Sequence, residues 1–315
     1  MPDLILHHFE RSPYSEKIRA ILGYKGLPWK SVLQPIIMPK PELTALTGGY
    51  RRIPVLQIGA DIYCDTALIA EQIELSAPTP SLFPGWPTPS LWPSGDAIWS
   101  RLIINWADEY LFWKVARYAR GANIDTLPDD FLKDRAAMFR QPPPDKAQVK
   151  AEMPHFLSQL EIALPWLNDG LDKTEYIGGS ALSLADFSVY HCLWFLRNTP
   201  EGGKWLDTFD HINAWMKKIA AIGHGQRTEL DRDGALAIAR AAEPLPVAAA
   251  DNTPDSTGIA LGDTASVTPE TFGTENVVGK VVALSKYRIT LARSSDDLGV
   301  VHVHFPRLGY VLKRS

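Results

Sequence analysis

The spacing of hydrophobic residues near the start of the chain predicts a small unit of alternating strand and helix. A short apolar run at residues 4–6 is followed by a stretch with Ile18, Ile21 and Leu22 on one helical face and charged residues on the other. Pro13 lies in the first turn of this predicted helix, where its missing amide hydrogen is not needed. A second apolar run follows at residues 29–33. This order predicts a β-α-β unit with parallel strands.

Two more apolar runs, at residues 53–58 and 62–64, lie on either side of a glycine turn. Such a pair predicts a β-hairpin. Asp65 and Thr66 then begin another amphipathic stretch, so we expect a helix after the hairpin. The complete order, β-α-β followed by β-β-α, is that of an α/β thioredoxin-like domain.

The middle of the chain has the three- and four-residue spacing of amphipathic helices, which predicts an all-α domain. Two sets of positions carry this pattern: Ile98, Leu102, Ile103, Trp106, Tyr110 and Trp113, and Met153, Phe156, Leu157, Leu160, Leu164 and Leu167. Further along, Ser183 and Asp186 predict a capping box, with Leu182 and Phe187 as its hydrophobic staple. This box has a structural role, so replacing Asp186 should impair folding and leave the chemistry unaffected.

The last part of the chain is rich in β-formers, at residues 277–284, 288–292, 300–305 and 310–312. Four or five short strands predict a small all-β domain, either an SH3-like barrel or a meander. His302 and His304 share one face of a strand. Two imidazoles without a third ligand make a poor metal site, so we expect a surface or interface pair and no metal. Nearby acidic residues almost balance the basic ones, which favours a docking or intersubunit role over RNA binding.

Proline-rich segments divide the chain. Six prolines between Pro78 and Pro93 predict an extended connector, and three more between residues 243 and 257 predict a second one. We therefore expect an α/β domain over residues 1–77, a linker over 78–93, a helical domain over 94–242, a linker over 243–257 and the β domain over 258–315.

Composition excludes several broad classes of protein. A hydrophobic fraction of 45% excludes a wholly disordered chain, and a net charge of −4 gives no global basic field for nucleic acid. No apolar run is long enough to cross a membrane, and the first residues do not resemble a signal peptide. Cys64 and Cys192 are too few for a disulfide framework, and we expect them to be buried, inert thiols. These features together favour a cytoplasmic protein.

Three motifs carry a resemblance to a known family. Ser12-Pro13-Tyr14-Ser15 stands where glutaredoxins have Cys-Pro-Tyr-Cys, and residues 11–22 resemble the first helix of the glutathione S-transferases. Ile53-Pro54-Val55-Leu56 and Asp65-Thr66 resemble that family's cis-proline element and its acidic–hydroxyl pair. The resemblance covers about 240 residues and leaves the C-terminal segment outside the family pattern.

The resemblance implies an enzyme that activates the thiol of glutathione, its co-substrate, for attack on a small electrophile. Ser12 is the predicted catalytic residue, because a hydroxyl donor at a helix N-terminus favours the thiolate of a thiol whose ordinary pKa is about 8.5. The alternatives are that Ser12 only caps the helix or that Ser15 takes its role. His8 stands where tyrosine-type relatives place their tyrosine, and we expect it to be structural, with an acid–base role as the alternative.

The resemblance also implies a binding site for the rest of glutathione. The backbone of Ile53 would pair with the peptide part, after a cis bond to Pro54; a plain edge-strand proline is the alternative. Thr66 and nearby amides would hold the γ-glutamyl carboxylate, and Asp65 would pair with the ammonium. Both of these roles are compatible with capping the helix.

For the glycyl carboxylate of glutathione, Arg52 is the first candidate and Lys40 the second. A solvated surface charge remains the alternative for Arg52. The family's electrophile site lies between the two domains, and its candidates here are Trp106, Tyr110, Trp113 and Tyr118, although core or dimer roles are open for each.

The resemblance further implies a homodimer formed through the helical domains. Two other functions remain open. One is a non-catalytic scaffold that binds glutathione or a partner through the C-terminal segment. The other is a thiol transferase, which is disfavoured because serines replace both redox cysteines.

Overall fold

The computed structural model describes residues 3–84, 97–247 and 256–315. Most of the first predicted linker and residues 248–255 of the second lie outside these ranges. Ten strands of the described residues form one sheet, in the order Tyr310–Arg314, Thr264–Pro269, Val277–Leu284, Arg288–Ser295, Gly299–Pro306, Asp61–Cys64, Val55–Ile58, Ile5–His8, Pro28–Leu33 and Gln226–Glu229. Within the described ranges, no helix combines the length and the apolar character that crossing a membrane requires.

The N-terminal part forms the predicted thioredoxin-like unit. Its elements are β1 (Ile5–His8), α1 (Pro13–Tyr24), β2 (Pro28–Leu33), α2 (Pro41–Thr47), β3 (Val55–Ile58), β4 (Asp61–Cys64) and α3 (Thr66–Ser76). Strand β1 pairs in parallel with β2 and antiparallel with β3, and β3 forms the predicted hairpin with β4. Every residue of β1, β3 and β4 is buried, because helices or other strands cover both faces.

The helical part follows and packs against α1 and α3. Its elements are α4 (Ala97–Trp106), a π-helical turn (Ala107–Leu111), α5 (Phe112–Asn123), α6 (Asp129–Met138), α7 (Lys146–Lys173), α8 (Leu184–Arg197), α9 (Pro200–Leu206) and α10 (Asp210–Ala220). One hydrophobic core joins both parts: Leu22 and Ile69 of the first lie in the same cluster as Leu160 and Phe187 of the second.

The residues after α10 return to the α/β part. Strand β5 (Gln226–Glu229) pairs in parallel with β2, and α11 (Arg232–Ala241) packs against α2 and β2. Gly225 permits this return, because its φ is +72° and a Cβ there would lie 2.7 Å from the Leu27 carbonyl oxygen. The periodicity of α11 identifies a helix but does not indicate which part of the molecule it covers.

The C-terminal residues form the predicted β-rich region. Its strands are β6 (Thr264–Pro269), β7 (Val277–Leu284), β8 (Arg288–Ser295), β9 (Gly299–Pro306) and β10 (Tyr310–Arg314). Strands β6 to β9 form an antiparallel meander, and β10 pairs with the free edge of β6.

This region does not form a separate sheet. Strand β9 pairs in parallel with β4, so the C-terminal strands extend the thioredoxin-like sheet. A shared core includes Ile62 and Cys64 from the first part and Leu291 and Phe305 from the last. Pairing with β9 covers an edge of β4 that would otherwise expose unpaired backbone groups.

Candidate functional site

Ser12 is the N-cap residue of α1. Its φ and ψ are −78° and 122°, and its hydroxyl oxygen accepts a hydrogen bond of 3.2 Å from the Ser15 amide. A hydroxyl has one hydrogen and two lone pairs, and this bond uses only a lone pair. The capping role therefore leaves the hydroxyl hydrogen of Ser12 available to a ligand, beside the positive end of the helix dipole.

Ser15 occupies a different environment, although it lies only one helical turn away. Its side chain is buried, and its hydroxyl oxygen accepts a long hydrogen bond of 3.5 Å from the Phe9 amide. Ser12 is only partly buried. The structure thus separates two serines that the sequence pattern left as alternatives.

The side chains of His8 and Tyr14 are hydrogen-bonded to other groups of the protein. His8 is buried, its Nε2 is 2.9 Å from the Ser31 hydroxyl, and its Nδ1 is 3.1 Å from the Arg19 guanidinium. Burial, together with the positive charge of Arg19, lowers the pKa of His8 to about 4. The Tyr14 hydroxyl donates to the Asp108 carbonyl at 2.9 Å, and burial raises its pKa. These contacts support structural roles for both residues.

The peptide bond between Ile53 and Pro54 is cis, as predicted. Asp65 lies at the start of α3 with a φ of +79°, and one of its carboxylate oxygens accepts from the Ala67 amide at 2.9 Å. Thr66 is buried, and its hydroxyl oxygen lies 3.5 Å from the Lys17 ammonium. The expected capping role of Asp65 is therefore present.

The two candidate cations, Arg52 and Lys40, differ in their surroundings. Arg52 donates through Nε to the Phe272 carbonyl at 2.8 Å, and its guanidinium lies 3.8 Å from the centre of the Phe272 ring. The neighbouring Arg51 forms ion pairs with Asp134 and, at 3.2 Å, with Glu275. Both arginines are therefore bound to other parts of the chain.

Lys40 is buried, and its ammonium donates to the Arg51 carbonyl at 3.4 Å. In the described part of the chain, no carboxylate lies within ion-pair distance of its nitrogen. Burial and the charges of Arg135 and Arg51 lower the pKa of Lys40 to about 8. A carboxylate brought to this ammonium would meet a partly desolvated cation.

The C-terminal region contributes two contacts to this site that the sequence analysis missed. Besides Phe272, which covers Arg52, Tyr310 donates from its hydroxyl to the second carboxylate oxygen of Asp65 at 3.0 Å. Both residues are more than 200 positions from their partners, and no local pattern marks either of them.

Among the four candidates for the electrophile site, Trp113 contacts Phe272. Its ring is 5.0 Å from that of Phe272, which also stacks on Phe139 at 5.7 Å. Tyr118 is buried in the core, and Trp106 stacks on the exposed Tyr110 at 6.2 Å.

A buried polar cluster joins the two parts of the molecule beside Tyr14. Asp108, in the π-helical turn, lies 2.6 Å from the Lys17 ammonium and 2.9 Å from Nε2 of His191. Burial opposes ionisation of Asp108, but the positive charge of Lys17 and the hydrogen bond from His191 keep the pKa of the carboxyl below its ordinary value. Lys17 and His191 each lie about 90 positions from Asp108, and no motif in the sequence connects these residues.

Two parts of the chain match models of known protein families. Residues 6–81 match the family model for the glutathione S-transferase N-terminal domain, and residues 147–218 match the one for the C-terminal domain. A solved glutathione S-transferase-like protein from Pseudomonas syringae is 36% identical, covers 100% of both chains and superposes with a TM-score of 0.75. A search of curated proteins found no match.

More distant structures share the fold. A glutathione S-transferase from Rhodospirillum rubrum is 20% identical, with 69% of this chain and 88% of that chain covered and a TM-score of 0.54. The β-etherase LigF from Sphingobium is also 20% identical, with 69% and 95% covered and a TM-score of 0.52. The Pseudomonas protein, by contrast, is similar over the C-terminal β-rich region as well.

Proposed function

The chain belongs to the glutathione S-transferase family, and we propose that it activates the thiol of glutathione for attack on a small electrophile. The observation that carries this proposal is the position of Ser12. Its hydroxyl caps α1 through a lone pair and keeps its hydrogen for a ligand. A donor directed at sulfur stabilises the thiolate more than the thiol, and each unit of pKa lowering corresponds to about 1.4 kcal/mol.

We propose that the remaining parts of glutathione bind along the ends of β3 and α3. The backbone of Ile53, which precedes the cis bond to Pro54, would pair with the peptide part. Thr66 and the first amides of α3 would hold the γ-glutamyl carboxylate, and Asp65 would accept from the ammonium. The Tyr310 hydroxyl supports this assignment, because it already occupies one lone pair of Asp65 and orients the carboxylate.

For the glycyl carboxylate, the surroundings favour Lys40 over Arg52. The Arg52 guanidinium is already bonded to the Phe272 carbonyl, whereas the Lys40 ammonium makes one long hydrogen bond within the part of the chain that the structure describes. The electrophile would contact the aromatic faces of Trp113 and Phe272, which favours an apolar, aromatic compound.

The test compares wild type with Ser12→Ala, using calorimetry with glutathione and steady-state rates with a chloronitroaromatic electrophile. We expect both proteins to bind glutathione, and we expect the variant to lose about 100-fold in turnover because one donor to the developing anion is gone. Ser15→Ala is the matched control and should retain the wild-type rate. Equal rates for wild type and Ser12→Ala would contradict the role of Ser12, and a failure of wild type to bind glutathione would contradict the proposal as a whole.

A second candidate, a non-catalytic scaffold, is favoured by one observation. Arg52, a predicted ligand contact, is already bonded to the Phe272 carbonyl of the C-terminal region. Under this alternative, wild type would bind glutathione or a protein partner without turning over any electrophile.

We also propose that the protein is a homodimer and cytoplasmic. The family resemblance supports the dimer, and two buried free cysteines are compatible with a reducing compartment.

A further inference from the structure

The junction between the thioredoxin-like strands and the C-terminal strands contains a cluster of metal-ligating side chains. Parallel pairing of β4 with β9 places Asp61 opposite His302, and His304 lies two residues further along the same strand face. The sequence pattern showed the two histidines but not a third ligand. Asp61 supplies that third ligand, although it lies 241 positions before His302 in the chain.

The geometry of the cluster is close to what a small divalent ion requires. One Asp61 carboxylate oxygen lies 2.8 Å from Nε2 of His304 and 3.8 Å from Nδ1 of His302, and the three ligand atoms all lie within 4.8 Å of one another. Ligands bound tetrahedrally at about 2.0–2.2 Å from an ion are roughly 3.3–3.6 Å apart. Small side-chain adjustments would therefore bring all three atoms to one ion.

An unpartnered atom points into the cluster. Nδ1 of His302 is buried and has no hydrogen-bond partner among the described residues, although a buried polar nitrogen without one is unfavourable. The hydrogen bond between Asp61 and His304 explains those two side chains without an ion. It leaves Nδ1 of His302 unexplained, and an ion between the three residues would satisfy that atom.

A supporting shell holds the other two ligands in place. Nδ1 of His304 is 3.0 Å from the Thr290 hydroxyl, and its ring stacks on Tyr63 at 4.4 Å. The second Asp61 oxygen accepts from the Leu245 amide at 2.8 Å. Partners of this kind orient the ligands of protein metal sites.

We propose that Asp61, His302 and His304 bind a divalent first-row transition ion, with Zn²⁺ as the ion to test. Two imidazoles and one carboxylate suit this class of ion better than Mg²⁺ or Ca²⁺, which take mainly oxygen ligands. The ion joins β4 to β9 and so ties the C-terminal region to the rest of the sheet. This site is independent of the proposed use of glutathione.

The experiment uses the full chain without a histidine tag, stripped with a chelator and titrated with Zn²⁺ by calorimetry in the absence of glutathione. Wild type should bind one equivalent, and Co²⁺ should give visible absorption bands of a low-coordinate site. His302→Gln is the first variant, because Nδ1 of His302 has no hydrogen-bond partner among the described residues that the substitution would remove. It should bind Zn²⁺ at least about tenfold more weakly.

His155→Gln, at an exposed histidine on α7, is the matched control and should bind like wild type. Zn²⁺ should raise the melting temperature of wild type and of this control but not that of His302→Gln, whose fold is checked by circular dichroism. Absence of one-equivalent binding by wild type would overturn the proposal. Equal Zn²⁺ affinity in wild type and a folded His302→Gln would overturn it as well.

Discussion

At the scale of single residues, two adjacent histidines of β1 are buried in an uncharged state. Nε2 of His7 is 2.8 Å from the Gln57 side-chain oxygen, and His8 bonds Ser31 and Arg19. Burial is the main cause that lowers the pKa of each imidazole to about 4. His8, for which the sequence left an acid–base role as the alternative, is thus part of the sheet interior, and so is His7.

These histidines predict an acid-sensitive stability. Their folded-state pKa lies below the unfolded value of about 6.5, so the unfolded chain binds more protons between pH 6.5 and 4. The free energy of unfolding should be unaffected by them above pH 6.5 and fall as the pH drops towards 4, by up to about 3 kcal/mol per histidine. Urea unfolding at several pH values measures this.

The variant His7→Gln should reduce the slope of stability against pH over that window, whatever its effect on stability at pH 7. His155→Gln, on the surface, is the control. An unchanged slope in the His7 variant would show that other groups cause the acid sensitivity.

The carboxylate of Asp186 is also hydrogen-bonded to other groups of the protein. Its carboxylate accepts from the Ser183 amide and hydroxyl at 2.9 Å, the Ile177 amide at 2.7 Å and the Trp215 indole at 3.0 Å. The predicted capping box is present. It also anchors a loop and a second helix, which the local pattern did not indicate.

Asp186→Asn should therefore destabilise the fold. The amide group would direct two hydrogens at groups that are themselves donors, and the loss should be about 3 kcal/mol in the free energy of unfolding. Urea unfolding measures it, while the rate per folded molecule should stay at the wild-type level. A loss of turnover at unchanged stability would contradict the structural role.

At the scale of elements, the connection between β6 and β7 reaches from the C-terminal region to the proposed site. Phe272 in this connection contacts Arg52 and Trp113, and the next residue, Gly273, donates from its amide to the Met138 carbonyl at 2.7 Å. With a φ of +58°, Gly273 adopts a left-handed conformation that glycine tolerates best. The connection therefore bridges the α/β part and the helical part.

Phe272→Ala should raise the KM for an aromatic electrophile about 5- to 10-fold, because an aromatic contact worth roughly 1 kcal/mol is removed. Glutathione affinity should change less, since the Phe272 carbonyl that holds Arg52 remains. Steady-state kinetics and calorimetry separate the two effects. Leu308→Ala, at an exposed residue of the same region, is the control. An unchanged KM in Phe272→Ala would show that this ring does not line the electrophile site.

At the scale of the whole molecule, exposed apolar residues on the helical part match the expected dimer. Ile162 and Trp166 lie one turn apart on α7, and Trp166 is 68% exposed. Tyr110 donates to the nearby Gln159 at 3.2 Å, which connects this face of α7 to the π-helical turn. Large exposed apolar side chains that are grouped in this way are typical of protein interfaces.

For the proposed homodimer, Trp166→Glu should give a monomer, because a carboxylate would be buried against the partner without a counter-charge. Light scattering after gel filtration measures the mass. Leu308→Glu places the same charge at a residue that is 81% exposed in the C-terminal region and should leave the dimer intact. A Trp166→Glu protein that remains dimeric would place the interface elsewhere.

The sequence alone determined the features that depend on neighbours a few positions apart. Local periodicity, turn residues and capping predict helix α1 with Pro13 in its first turn, the hairpin of β3 and β4, the cap at Asp65 and the capping box at Ser183. Such signals are strong because the groups that interact are close along the chain.

Only the tertiary structure decided which distant groups meet. It gave the side chains of Ser12 and Ser15 different surroundings. It also paired β5 with β2 and brought Phe272 to Arg52 and Asp61 to His302. These pairs lie as many as 241 positions apart, and the residues that meet bear no periodic relation to one another. Strand edges and buried polar groups take whichever partner the packing of the whole chain brings to them, so their contacts could not be inferred from local pattern.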